Sequence, residues 1–163
     1  MEHIVGIGEY AMTNDPSDVI KTFALATCVG LVFYSMRRRC MAMAHIQLPN
    51  AKDIKTEKIP SRFADAAPGF LYEEMSKRYG LTRGELLISL YGGVNARGEH
   101  DCFKIGEKNI STVKTVLRTL GLVYSDVDTG GAESRTLVAH VSSGIVEVIK
   151  RPMAMRTQFL FNK

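Results

Sequence analysis

The chain has 163 residues and a formal net charge of +4 at pH 7, and 45% of its residues are hydrophobic. This length is typical of one globular domain that buries about two-thirds of its unfolded surface, so we expect a single domain over residues 1–163. The composition is not that of a disordered protein. No apolar run approaches the roughly 20 residues of a membrane span, so membrane insertion is not expected.

Several further classes of protein are disfavoured by what the chain lacks. The N-terminus has no basic stretch followed by a long apolar core, which predicts a cytoplasmic protein without a signal peptide. The three cysteines, Cys28, Cys40 and Cys102, are odd in number and widely spaced, so a disulfide framework is not expected. The neighbours His-Asp-Cys at 100–102 do not by themselves form a chelating site, and no metal is expected. The arginines at 37–39 indicate a solvated turn rather than a nucleic-acid surface.

The first part of the chain is predicted to form short strands. Residues 3–8 form the first, and residues 20–33 form two buried pieces with a sharp bend near Cys28. After the arginine turn, residues 40–48 form another buried strand. A hairpin joining these strands would bring Cys28 close to His45.

The rest of the chain is predicted to contain two helices and further strands. Apolar residues between Phe63 and Met75 recur at helical spacing, and Gly80 suits the C-terminal cap. Pro68 implies that this helix begins near it or is kinked there. The second helix has an apolar stripe of Ile110, Val113, Leu117 and Leu120, and Gly121 lies just past its end. The predicted strands are 86–91, 122–127, 135–141 and 145–150. A hairpin turn of Ser142, Ser143 and Gly144 joins the last two strands. With about seven strands and two helices, we predict an α+β domain with a mixed or antiparallel sheet.

Cys28 and His45 are the candidate chemical groups. Each lies in an apolar strand bordered by small residues, so a thiol nucleophile and its imidazole base could meet there. The alternative is that both residues merely fill the core, because a free cysteine is among the most buried residue types.

Seven segments form an ordered set that spans nearly the whole chain: residues 6–10, 22–29, 43–49, 63–65, 92–93, 105–109 and 128–131. Each of these segments is a weak signal alone. Taken together and in order, they resemble the CheD family of chemoreceptor glutamine deamidases.

The resemblance implies a layered α/β cysteine-hydrolase fold similar to the catalytic domains of the cytotoxic necrotizing factors. It implies catalytic Cys28, His45 and Thr22, with no cofactor. The implied substrates are glutamines on the cytoplasmic helical bundle of chemoreceptors, and the phosphatase CheC is an implied partner. The residues that follow Gly93 and Gly131 depart from the family pattern, which concerns partner and substrate preference more than the chemistry.

The implied reaction converts glutamine to glutamate through a Cys28 thioester, with ammonia as the leaving group. Backbone N–H groups around Thr27 and Cys28 are the natural donors to the oxyanion. Gly92 and Gly93 are interpreted first as turn residues, with a role in shaping the substrate groove as the alternative. Two other functions stay open: a scaffold that binds CheC or receptors with vestigial catalysis, and an esterase that acts on receptor glutamyl methyl esters.

Overall fold

The computed structural model describes residues 1–53, 59–95 and 104–153. The His-Asp-Cys neighbours at 100–102 lie outside these residues. The described residues form nine strands and two α-helices: β1 (Glu2–Val5), β2 (Tyr10–Thr13), β3 (Val19–Leu25), β4 (Val29–Ser35), β5 (Cys40–Ile46), α1 (Ala67–Tyr79), β6 (Leu87–Gly92), α2 (Ile105–Thr119), β7 (Ser125–Thr129), β8 (Glu133–His140) and β9 (Val146–Pro152). Short 3-10 turns occupy Ala51–Asp53, Pro60–Arg62 and Arg83–Glu85.

The strands form two mixed sheets, as the predicted α+β class requires. One sheet has the order β1-β3-β8-β9, and the other has the order β2-β5-β4-β6-β7. In each sheet one neighbouring pair is parallel, β1 with β3 and β6 with β7, and the other pairs are antiparallel. The chain passes from the first sheet to the second between β3 and β4, through residues 26–28, which we call the crossover loop.

The five-stranded sheet is covered on both faces, so every residue of β4 and β5 is buried. One face packs on the two helices and forms a helix-facing core that includes Phe33, Leu71 and Leu117. The other face packs on the four-stranded sheet and forms an inter-sheet core that includes Met43 and Leu137. Continuous apolar runs in β4 and β5 follow from this, because a strand buried on both faces has no solvent side on which to place polar residues.

Pro68 begins the first helix rather than kinking it. It occupies the first turn of α1, where its missing N–H has no intrahelical partner to lose. Gly80 caps the other end in the left-handed conformation, with φ of 64°, and its N–H bonds to the Ser76 carbonyl. The expected C-terminal cap is confirmed, and the helix starts later than the apolar spacing from Phe63 suggested.

Two predicted strands need correction, and one strand was missed. The strand expected at 3–8 occupies Glu2–Val5, and the strand expected at 122–127 lies further along the chain at Ser125–Thr129. Strand β2 was not predicted, because Tyr10–Thr13 is a four-residue segment directly before a polar loop. The strand pair around the crossover loop, the β4–β5 hairpin with its exposed arginine turn, and the β8–β9 hairpin are confirmed.

None of the helices in the described ranges has the length and apolar character needed to cross a lipid bilayer.

Candidate active site

The crossover loop is held by all three of its carbonyl groups. The Ala26 carbonyl accepts a hydrogen bond from Val94 N at 2.7 Å, and the Cys28 carbonyl accepts one from Gly93 N at 2.8 Å. The Thr27 carbonyl accepts from the side-chain Nδ2 of Asn109 at 3.0 Å. The backbone N–H groups of Thr27 and Cys28 donate no hydrogen bond within the described part of the chain. The three carbonyl groups of the loop therefore all accept hydrogen bonds, whereas the N–H groups of Thr27 and Cys28 have no acceptor among the described residues.

Cys28 sits at the end of this loop, directly before β4. Its side chain is half-buried against the inter-sheet core. Gly30, two residues further on, faces the same core, since a Cβ on it would lie 2.7 Å from the Leu137 side chain.

His45 pairs with Gly30 across the β4–β5 ladder. The backbone N–H and carbonyl groups of His45 both point away from Gly30. The N–H donates to Glu9 O at 3.0 Å, and the carbonyl accepts from Gly8 N at 2.8 Å. His45 and Gly30 are thus a non-hydrogen-bonded pair, the closer type, with Cα atoms about 4.5 Å apart. Cys28 precedes the paired residues of β4, so it lies at the end of the ladder, on the inter-sheet side that Gly30 and His45 also face.

Thr22 reaches His45 from the other sheet. Its side chain is fully buried, and its Oγ1 lies 2.7 Å from His45 Nδ1 and 2.8 Å from the Val5 carbonyl. A hydroxyl has one proton, and a carbonyl can only accept, so the hydroxyl donates to Val5 and accepts from the N–H at Nδ1. This fixes the tautomer. Nε2 carries the lone pair, and it is buried with no hydrogen-bond partner among the residues described.

The structure thus brings Thr22 and His45 into direct contact. Cys28 lies against the same inter-sheet core, and its thiol makes no hydrogen bond to His45 Nε2 in this structure. A base with one nitrogen oriented by an acceptor and the other free is the arrangement that activates a nucleophile. The contact between Thr22 and His45 joins the two sheets, so no local spacing in the sequence encodes it.

The resting site is electrically neutral. Burial raises the pKa of the Cys28 thiol to about 11. Burial also lowers the pKa of the His45 imidazole to about 4. In both cases the charged form loses its hydration, which favours the neutral form. At pH 7 both the Cys28 thiol and the His45 imidazole are therefore neutral, and protonation of His45 at acidic pH removes the base.

We expect alkylation of Cys28 by iodoacetamide to be slow at pH 7 and to accelerate about tenfold per pH unit up to pH 10, because only the thiolate reacts. Peptide mapping by mass spectrometry separates Cys28 from Cys40, whose pKa burial also raises to about 11. A rate plateau between pH 5 and 8 would instead show a preformed thiolate–imidazolium pair and would contradict the neutral site.

Replacing Thr22 with valine is expected to lower the turnover number by about 10- to 100-fold, because His45 loses the acceptor that orients it. Unfolding should become easier by about 1–3 kcal/mol, since the Val5 carbonyl and His45 Nδ1 stay buried without a partner. Thr22→Ser keeps the hydroxyl and serves as the control. Steady-state kinetics and urea unfolding measure both effects. Equal turnover numbers for Thr22→Val and Thr22→Ser would show that the Thr22 hydroxyl has no role in the active site.

Gly92 and Gly93 support the crossover loop from behind. Gly92 has φ of 90°, and a Cβ atom on it would lie 2.4 Å from the Cys28 carbonyl oxygen. A Cβ on Gly93 would lie 2.3 Å from the Ile110 side chain. Both positions require glycine because the backbone of β6 approaches the loop and helix α2 closely. The two glycines therefore allow the crossover loop, and with it Cys28, to lie close to the end of β6.

Asn109 was part of a matched segment but had no assigned role in the sequence. It is fully buried on α2 and touches both halves of the site. The available signal was a polar residue four positions before Val113, on the apolar side of the helix. Cys40 belongs to the helix-facing core, away from these groups. Within residues 1–53, 59–95 and 104–153, no cluster of three His, Cys, Asp or Glu side chains could hold a metal.

Comparison with known proteins gives a consistent family. Residues 47–150 match the model of the family described as CheD chemotactic sensory transduction. A protein of Syntrophotalea carbinolica named probable chemoreceptor glutamine deamidase CheD is 36% identical over 148 residues, which are 89% of this chain and 91% of the relative. The chemoreceptor glutamine deamidase CheD of Thermotoga maritima is 34% identical over 150 residues, 92% of each chain.

Among solved structures, the hypothetical protein YfiH of Bacillus licheniformis aligns with a TM-score of 0.47 at 12% identity, over 73% of this chain and 51% of that one. The family model covers more than half of the chain, and the curated relatives cover nearly all of it. The protein described here is therefore a member of the CheD family.

Proposed function

We propose that this chain is a cysteine-dependent amidohydrolase that converts glutamine side chains of chemoreceptors to glutamate. The observation that carries the proposal is the oriented imidazole of His45, whose Nδ1 is held by Thr22 and whose Nε2 has no partner among the described residues and is available to take a proton from Cys28. The names of the full-length relatives supply the substrate, a chemoreceptor glutamine. A layered fold akin to the cytotoxic necrotizing factors belongs to the same proposal.

The acylation step starts from the neutral pair. As Cys28 Sγ attacks the carboxamide carbon, its proton moves to His45 Nε2, and the carbonyl oxygen becomes an oxyanion. The free N–H groups of Thr27 and Cys28 are the candidate donors to that oxygen. The imidazolium then gives its proton to the leaving nitrogen. The C–N bond breaks, ammonia departs and a thioester on Cys28 remains.

The deacylation step uses the same groups. His45 Nε2 takes a proton from water while the water oxygen attacks the thioester carbon, and the proton then returns to the departing sulfur. Glutamate is released and the thiol is restored, so the balance is glutamine plus water to glutamate plus ammonia. The neutral resting state suits this cycle, because no charge is buried until the substrate closes the site.

A glutamine-bearing cytoplasmic fragment of a chemoreceptor from the same organism tests the function. Incubation with the wild-type protein should add about one dalton at defined glutamines and release ammonia in equal amount, as read by peptide mass spectrometry and an ammonia assay. The Cys28→Ala protein should do neither. Methanol released from a methylated fragment would point to the esterase. Binding without any mass change, across several native receptors, would point to the scaffold.

We also propose a cytoplasmic setting, as the substrate requires, and CheC as a binding partner. Size-exclusion chromatography of the mixed proteins tests the second point, with co-elution as the expected result. Two separate peaks at micromolar concentration would contradict it.

A further inference from the structure

Asn109 joins the two segments that carry the candidate nucleophile and base. Its Nδ2 donates to the Thr27 carbonyl at 3.0 Å and to the Gln47 carbonyl at 3.0 Å. Thr27 immediately precedes Cys28, and Gln47 follows His45 by two residues. Both N–H groups of the amide are used, so the orientation of the side chain is settled, because a reversed amide would turn its oxygen toward two carbonyl oxygens.

Burial of the Asn109 side chain has a free-energy cost that a compensating interaction must offset. The side chain is fully buried, and its Oδ1 has no hydrogen-bond partner in the part of the chain that the structure describes. An unpaired buried acceptor is unfavourable, so an apolar residue would serve better if the position only filled space. The two donated bonds are the gain that offsets this cost.

The bond to Thr27 also fixes the direction of a different group. A trans peptide unit is planar, with its C=O and N–H pointing in opposite directions, and the described chain has no cis peptide. The Thr27 carbonyl and the Cys28 N–H belong to one such unit. Holding the carbonyl toward α2 therefore turns the Cys28 N–H to the opposite side, where it meets no acceptor of the described protein.

We infer that Asn109 is a positioning residue, which holds the Thr27–Cys28 peptide so that the Cys28 N–H points at the oxyanion formed during amide hydrolysis. The inference rests on the proposed function and adds to it the residue that orients the donor. Asn109 touches no reacting atom. Its effect is to preorganise a hydrogen bond that strengthens only as charge develops on the substrate oxygen.

Two reactions of the same thiol separate this role from general support of the fold. Deamidation forms an oxyanion, whereas alkylation by iodoacetamide is a displacement that forms none. For Asn109→Leu, similar in size but without donors, we expect the turnover number to fall about 10- to 100-fold, with KM changed less than about threefold. The alkylation rate of Cys28 should stay within about threefold of the wild type. Asn109→Ser, which has a shorter side chain with one donor, should have a turnover number between those of the wild type and Asn109→Leu.

Val113→Ala is the matched control. Val113 lies one turn further along α2, is fully buried and belongs to the helix-facing core, so its truncation destabilises the same helix without removing a hydrogen bond to either segment. At a temperature where all variants are folded by circular dichroism, it should keep wild-type turnover. Asn109→Ser is the variant measured if Asn109→Leu does not fold.

Three results would contradict either the positioning role of Asn109 or the proposed function. Unchanged turnover in the Asn109 variants, or an equal loss of deamidation and alkylation, would overturn the positioning role. Loss of turnover in Val113→Ala would attribute the effect to stability and would overturn it as well. Full activity of Cys28→Ala, measured alongside, would instead refute the proposed function, since the thiol would then not be the nucleophile.

Discussion

Replacing Cys28 with alanine is expected to lower the rate of glutamine deamidation by at least about 10⁴-fold, because the proposed acyl intermediate forms on the Cys28 thiol. The fold should be kept, since the side chain is small, half-buried and at the margin of the inter-sheet core. The rate of one-dalton mass gain on a receptor fragment measures activity, and thermal unfolding measures stability.

Cys40→Ala is the matched control for that experiment. Cys40 is fully buried in the helix-facing core at the start of β5 and makes no contact with the candidate site. Its truncation should cost about 1 kcal/mol of stability and leave the deamidation rate within about twofold. Comparable activity in the two variants would exclude Cys28 as the nucleophile.

Replacing Gly92 with alanine is expected to lower both stability and activity strongly. The residue has φ of 90°, and an added Cβ would lie 2.4 Å from the Cys28 carbonyl oxygen, a backbone atom that cannot rotate away. The conformational cost alone is about 1–2 kcal/mol, and relief of the clash must move the crossover loop. We expect the free energy of unfolding to fall by about 3 kcal/mol or more, and turnover to fall about 100-fold.

The conformational and steric parts of that loss can be separated. Gly80 and Gly130 also have positive φ, 64° and 76°, but an added Cβ would meet no atom within 4 Å at either position. Gly80→Ala and Gly130→Ala should therefore cost only about 1–2 kcal/mol, and both should keep near wild-type turnover. If Gly92→Ala behaved like these two, the close approach to Cys28 would not control the site.

The strands next to Cys28 and the strand that carries His45 could be predicted from the sequence because their apolar runs are strong and the arginine turn between β4 and β5 is clear. The β4–β5 hairpin follows, while the predicted closeness of the thiol and the imidazole stays a prediction. Strand β7 was misplaced because an edge strand exposed on most of its length carries alternating acidic residues, such as Asp126 and Asp128, that are typical of loops.

The contacts that complete the site could not be predicted from spacing. Thr22 meets His45 only because two sheets pack face to face, and hydrophobic periodicity does not encode which sheet covers which. Family resemblance supplied Thr22 as a candidate, but not the Val5 carbonyl that sets the direction of its hydroxyl proton. Asn109 interrupts an apolar helix face, and its partners are carbonyl groups, which carry no signature in the sequence.

The location of the Thr22–His45 hydrogen bond between two sheets has a consequence for partially unfolded states. A molten globule keeps its secondary structure but loses fixed packing between layers. In such a state both sheets would persist, while the 2.7 Å contact between Thr22 and His45 would not. Deamidation would thus cease while far-UV circular dichroism still resembled that of the native protein. Under the proposed function, the rate of deamidation would depend on the docking of one sheet on the other, so it would be a more sensitive measure of native packing than helix or strand content.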